Sequence, residues 1–269
     1  MKKLMKFKGI KKDKIFHIKL SLFLYIYLLL LILHIITSKC YYLSKLNCFS
    51  EINITIIGNG TQTILNNANK KDVNKKSYQF NSKPSEILVN GIKVDILDFK
   101  VYNLTDEENN ITIRWDYPLT FCGGMFYNLT NITKIDVSNF DTSHVTSTMT
   151  MFTRCSLLTT LDISNFNLSS VTSMEAMFLG CYSLTTLNFG NLDTSSVTSF
   201  YGMFNGCSSL KTLDLSSFTT SSAKTMNAMF YECRSLESLN IQKFDTSCHR
   251  YVSYVWKLYI IKIFKFKSF

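Results

Sequence analysis

Eight cysteines in a chain of 269 residues are the first candidates for chemistry, and Cys155, Cys181, Cys207 and Cys233 recur every 26 residues. Chain layers stacked through parallel strands lie ~4.8 Å apart, within disulfide reach in principle. Equivalent side chains in successive layers point the same way, however, so a buried column of unpaired thiols is expected. Cys40, Cys48, Cys122 and Cys248 lie outside that column, and nothing in their spacing selects a pair. No Cys-x-x-Cys occurs, and the four histidines (His17, His34, His144, His249) are scattered, so no zinc site is expected. Gly-x-Ser-x-Gly, the P-loop and Gly-x-Gly-x-x-Gly are also missing. The chain is therefore expected to carry no catalytic, cofactor or metal site and not to be an enzyme.

A second periodic set is polar. Asp136, Asp162, Asn188, Asp214 and Asn240 each lie between two apolar residues of a short alternating run, which turns them away from the core. Ser138, Ser164, Ser216 and Gln242 stand two positions later, and Thr160, Thr186 and Thr212 two positions earlier. Together they form a candidate ligand-binding strip; the alternative is a solvated face whose side chains bond along the file. Calcium is not expected, because its sites gather about six or more oxygens in one loop.

The elements that would carry these residues follow from the same period. Met-Phe recurs at 125–126, 151–152, 177–178, 203–204 and 229–230. Leu161 and Ile163 alternate as a strand does, whereas Val171, Met174, Met177, Phe178 and Cys181 are spaced by three and four, as one helix face would be. Each unit is thus expected to be strand, turn, helix, turn, with the links DTSHV, NLSSV, DTSSV and TTSSA supplying oxygens for helix starts. One unit buries too little to fold alone, so the units must stack. The units MFTRCSLLTTLDISNFNLSSVTSM and MFNGCSSLKTLDLSSFTTSSAKTM resemble those of the BspA-like leucine-rich-repeat surface proteins. That resemblance implies a cell-surface protein with adhesive or host-interaction roles and no common enzymatic activity. The expected fold class is α/β: a leucine-rich-repeat solenoid with a parallel concave sheet over residues 120–256. A small β-rich module over 41–119 should precede it and cover its first unit.

The flanks differ from the body. Residues 1–40 form a basic leader, with lysines from Lys2 to Lys19, followed by the apolar LSLFLYIYLLLLILHII. This is the pattern of a signal peptide or signal anchor, with the lysines held in the cytoplasm. Residues 257–269 form a basic apolar tail, either an amphipathic surface segment or the remnant of an interrupted array. The net charge of +10 resides at these two ends: from Thr120 to His249 there are six basic and nine acidic residues. No nucleic-acid partner is expected from a body with that balance. Seven glycosylation sequons (Asn53, Asn59, Asn103, Asn110, Asn128, Asn131, Asn167) all follow the apolar segment, although chance alone predicts several in a chain so rich in Asn, Ser and Thr. The expected function is recognition or adhesion outside the cell, through a protein or glycan ligand bound on the strip. The membrane is a second partner if the apolar segment stays uncleaved. The competing expectation is a structural or decoy surface antigen that acts as a spacer.

Overall fold

In the computed structural model the described residues are 50–66, 80–95 and 99–245. The leader, the apolar segment and the basic tail lie outside them. Among the described residues no helix is long and apolar enough to cross a membrane.

Three segments with alternating apolar residues supply four strands of a five-stranded antiparallel sheet. In β1 (Ser50–Ile57) and β6 (Glu108–Trp115) the alternation puts Ile52, Ile54, Ile56, Ile111, Ile113 and Trp115 on the buried face. Glu51 and Asn53 face outward opposite Arg114 and Thr112. The run ILVNGIKV folds as the hairpin β3 (Glu86–Val89) and β4 (Ile92–Val94), in register Val89↔Ile92. Its turn residues Asn90 and Gly91 both take positive φ, 48° and 82°, as a two-residue hairpin turn requires. A shorter antiparallel pair joins β2 (Gly60–Thr63) to β5 (Lys100–Leu104). The fifth strand of the sheet, β7 (Ile132–Asp136), belongs to the first repeat; the order is β4-β3-β6-β1-β7. The boundary expected near residue 119 therefore falls inside one hydrogen-bonded sheet.

The repeats overturn the expected fold class. Among the described residues there is no helix: the chain is β-rich, built of small antiparallel and parallel sheets, not an α/β leucine-rich-repeat solenoid with one parallel concave sheet. Parallel pairing is confined to β8 (Thr160–Asp162) with β9 (Thr186–Asn188) and to β10 (Thr212–Asp214) with β11 (Ser238–Asn240), plus isolated bridges joining Ser147, Ser173, Ser199 and Thr225.

The segment expected to be helical is a run of tight turns, and left-handed backbone is the reason. Gly124, Thr150, Ala176, Gly202 and Ala228 occupy one repeat position, and Asn128, Arg154, Gly180, Gly206 and Glu232 another; all ten have φ between 52° and 77°. Two left-handed residues four apart cannot lie within a right-handed helix. The amides between them then divide two ways. Met151, Thr153 and Cys155 donate three residues back, to Thr148, Thr150 and Phe152. Thr148, Thr150, Phe152 and Arg154 donate to the next repeat instead, at Ser173, Glu175, Met177 and Leu179 (3.1, 2.8, 2.9 and 2.7 Å). Side chains spaced by three and four reach the core from this turn run as they would from a helix, which is why the spacing alone reads either way.

Core packing follows the layers. Met151, Met177 and Met203 are fully buried, and so are Phe152, Phe178 and Phe204. The rings of Phe126, Phe152, Phe178, Phe204 and Phe230 stack with centroids 5.5 to 5.8 Å apart and interplanar angles of at most 14°. Trp115 touches Phe80 and Phe140, and so joins the hydrophobic core of the five-stranded sheet to that of the repeats.

Candidate functional site

The strip residues are placed by strand alternation. In β8, β9 and β10 the central leucine is buried, and the residues on either side, Thr160 and Asp162, Thr186 and Asn188, Thr212 and Asp214, are exposed. Asp136, Ser138, Ser164 and Gln242 are exposed as well, while Ser216 and Asn240 are half-buried. In-register pairing Thr160↔Thr186, Asp162↔Asn188 and Thr212↔Ser238, Asp214↔Asn240 turns these positions into files.

The acidic file also holds the turns that follow the strands. The Oδ1 atoms of Asp136, Asp162 and Asp214 accept the amides of Ser138, Ser164 and Ser216 at 2.8 to 2.9 Å, and Asn188 does the same for Gly190 at 3.1 Å. This is the Asx-turn role of a short polar side chain two residues before the amide that it caps. Across the layers, Asn188 Nδ2 donates to Asp162 Oδ2 at 2.9 Å. The Ser164 hydroxyl and amide, with Asn188, hold the Asp162 carboxyl below the usual aspartate range. The Ser216 amide and hydroxyl do so for Asp214. The inner oxygens of the file are thus taken by structure, and its outer faces meet solvent. The Thr160, Thr186 and Thr212 side chains carry no such duty.

Sequence reasoning missed that the strip continues onto the outer face of the five-stranded sheet. Asp136 of β7 stands opposite Asn53 of β1. Asn53 Oδ1 accepts the Thr112 hydroxyl at 2.6 Å. Beside them Arg114 donates to Glu51 at 2.7 Å and Glu86 at 2.8 Å, and Lys93 reaches Glu86 at 3.2 Å. The guanidinium lowers the Glu86 pKa, and the two carboxylates raise that of Arg114. Only strand pairing brings Glu51, Glu86 and Arg114 together; no local motif announces it.

The cysteine column is inert. Each thiol donates to a phenylalanine carbonyl of the preceding repeat: Cys155 to Phe126, Cys181 to Phe152, Cys207 to Phe178 and Cys233 to Phe204, at 3.1 to 3.3 Å. Burial pushes Cys181 and Cys233 up to about 12, and Cys155 and Cys207 well above the usual thiol value. These four and Cys122 are free thiols. Among the described residues no group of three or more His, Cys, Asp or Glu could hold a metal ion.

Of the sequon asparagines, Asn59, Asn103, Asn110, Asn128 and Asn167 are exposed, whereas Asn53 and Asn131 are half-buried. Asn53 and Asn131 also donate to Glu51 and Gln62, at 3.2 and 2.9 Å.

The sequence matches the family described as "Mycoplasma protein of unknown function, DUF285" over residues 99–190 and again over 159–258. These overlapping copies take in every repeat and more than half of the chain. The protein belongs to the DUF285 family. Both copies of the DUF285 match contain strip residues, and together they also cover β5 and β6 of the preceding sheet. No curated protein and no solved structure is significantly similar to the chain.

Proposed function

We propose that this DUF285 protein is a surface protein whose stacked repeats present a recognition face to a protein or glycan outside the cell. The observation that carries the reading is the exposure of Thr160 and Thr186 beside Asp162 and Asn188 on one in-register parallel pair, β8 with β9, and of Thr212 beside Asp214 on the next, β10 with β11. Such a face offers hydroxyl and amide donors and carboxylate acceptors at a fixed repeat, which suits a ligand rich in hydroxyls or backbone amides. The resemblance of the 26-residue units to BspA-like surface proteins supports an adhesive role. The lysine-rich leader and apolar segment support export, with the membrane as a second partner if that segment remains attached.

Asp162 and Asp214 cap turns, so changing them would confuse folding with binding. The threonine file avoids this. The full-length chain and a Thr160→Lys, Thr186→Lys, Thr212→Lys variant are displayed on cells and assayed against panels of matrix proteins and glycans. Binding by the parent that the variant loses, with its circular dichroism unchanged, is the expected result. Equal binding by both chains, or none by either, overturns the proposal and leaves the spacer antigen.

A further inference from the structure

Two glycines in adjacent layers seat one exposed aromatic ring. The second left-handed position of each repeat carries a side chain at Asn128, Arg154 and Glu232 but none at Gly180 and Gly206. Backbone hydrogen bonds hold these positions in successive layers: Arg154 donates to Leu179 and Gly180 to Asn205 at 2.7 Å, and Gly206 to Tyr231 at 2.8 Å. Tyr182 lies across the bare pair. A Cβ on Gly180 would stand 3.6 Å from its Cζ and Oη, and one on Gly206 would stand 3.3 Å from its Cε1. The Ser208 hydroxyl donates to the Tyr182 carbonyl at 3.3 Å and ties its backbone to the next layer. With one side of the ring on backbone and 53% of the residue exposed, the other side meets solvent.

A cation stands beside the ring. The Arg154 stem rests on the same glycine, its Cγ 3.2 Å from the place of a Gly180 Cβ, so Arg154 and Tyr182 flank Gly180. Arg154 is exposed and forms no ion pair among the described residues, whereas Glu232, at the equivalent position three repeats on, is held by Arg234. An open ring beside an uncommitted guanidinium presents an apolar surface and a fork of charged donors side by side. We propose that Tyr182 and Arg154 bind a single acidic sugar of an external glycan, with the C–H face of its ring stacked on Tyr182 and its carboxylate taken by Arg154.

Shape and charge select that ligand. A peptide anchor gains most of its binding by enclosure in a desolvated pocket, and Tyr182 offers one open side instead. A pyranose ring is apolar on its C–H face and hydroxylated at its rim, so it stacks on an open aromatic ring while its hydroxyls stay in water. The planar guanidinium fork matches a carboxylate in a two-bond pair. Nine acidic against six basic residues from Thr120 to His249 repel a dense polyanion, so a single carboxylate is accepted where a nucleic acid is not. The site adds a second contact to the recognition reading above and uses no residue of the strip.

Saturation-transfer NMR on the full-length chain tests it. The probe is cellobiose oxidised to glucuronate at its non-reducing sugar, and cellobiose itself, with a hydroxymethyl group in place of the carboxylate, is the control. The parent and Tyr182→Phe, which keeps the ring, are expected to bind the acidic disaccharide at least ~10-fold more tightly than cellobiose. Tyr182→Ala and Arg154→Gln should each weaken it at least ~10-fold with circular dichroism unchanged. The Thr160→Lys, Thr186→Lys, Thr212→Lys variant should bind it as the parent does, so this site and the strip fail separately. Five results overturn the proposal: no binding by the parent; equal binding of cellobiose; binding that survives Tyr182→Ala or Arg154→Gln; binding lost in the strip variant; or equal binding of a short peptide that carries one carboxylate.

Discussion

Gly202→Ala separates the turn structure from the helix that the apolar spacing suggests, because the two require opposite signs. Gly202 has φ 59°, and a Cβ built on it would meet nothing closer than Leu179 Cδ1 at 3.8 Å, so the substitution changes backbone preference and almost nothing else. In a helix, alanine would stabilise by ~1 kcal/mol. In the left-handed turn an L-residue costs ~1 to 2 kcal/mol, of which ~0.5 to 1 kcal/mol is returned because alanine loses less chain entropy on folding. The expected net loss is therefore about 0.5 to 1 kcal/mol. The mirror change, Ala228→Gly at the equivalent position with φ 56°, should gain a few tenths of a kcal/mol, since its half-buried methyl gives back part of the relief. Urea unfolding of the full-length chain, followed by far-ultraviolet circular dichroism, reads both. With a slope of about 2 kcal/mol/M, Gly202→Ala should lower the midpoint by roughly 0.2 to 0.5 M. A raised midpoint for Gly202→Ala together with a lowered one for Ala228→Gly would refute the turn assignment. Gly206→Ala supplies a graded control: its Cβ would sit 3.4 Å from the Gly180 Cα, so it should cost more than Gly202→Ala.

Removing the central ring of the ladder, Phe178→Ala, should destabilise by about 3 to 5 kcal/mol and broaden melting, because Phe152 and Phe204 both lose a stacked neighbour; an unchanged thermal midpoint would count against the packing. Alkylation with a maleimide, mapped by mass spectrometry, should leave Cys155, Cys181, Cys207 and Cys233 unmodified in the folded chain and label them fully in denaturant, since burial raises all four thiols. Acid should weaken the fold through Asp162, Asp193 and Asp214, whose folded pKa values are lowered by capping hydrogen bonds. A lowered folded value means that their contribution is complete above the unfolded pKa of ~3.9 and disappears as pH falls through the folded value. Replacing all three by Asn, which caps the equivalent turn at Asn188, should flatten the stability profile below pH ~4, and a profile that keeps its slope would show that other groups carry it.

Several features of the fold are legible from the residues alone because they depend on period. A 26-residue recurrence in Met, Phe, Cys and Leu can be satisfied only if equivalent side chains stack, and the buried Met, Phe and Cys columns follow from it. Alternation in INITII and NNITIRW, and Asn90-Gly91 between apolar runs, depend on local sterics and yield β1, β6 and the β3–β4 hairpin. The outward direction of the Thr and Asp files has the same local origin.

Long-range pairing decided the rest. Spacing by three and four is shared by a helix and by a run of tight turns, and the choice rests on where each amide finds its acceptor: in its own segment, or in the next repeat as Phe152 does at Met177. One local signal of that choice was present, the glycine immediately before Cys181 and Cys207, where only a left-handed turn needs one; but Arg154 and Glu232 hold the same position, so the glycine pattern is broken and easily passed over. The union of β7 with β1, the Arg114 bridge between Glu51 and Glu86, and the use of Asp162 as a turn cap each join residues through backbone partners that no single segment contains. The sequence by itself determined which side chains are buried and which strip is exposed, since burial follows periodicity. Tertiary structure alone decided how the backbone between them is satisfied, because a hydrogen bond needs both partners in place and half of them lie one repeat away.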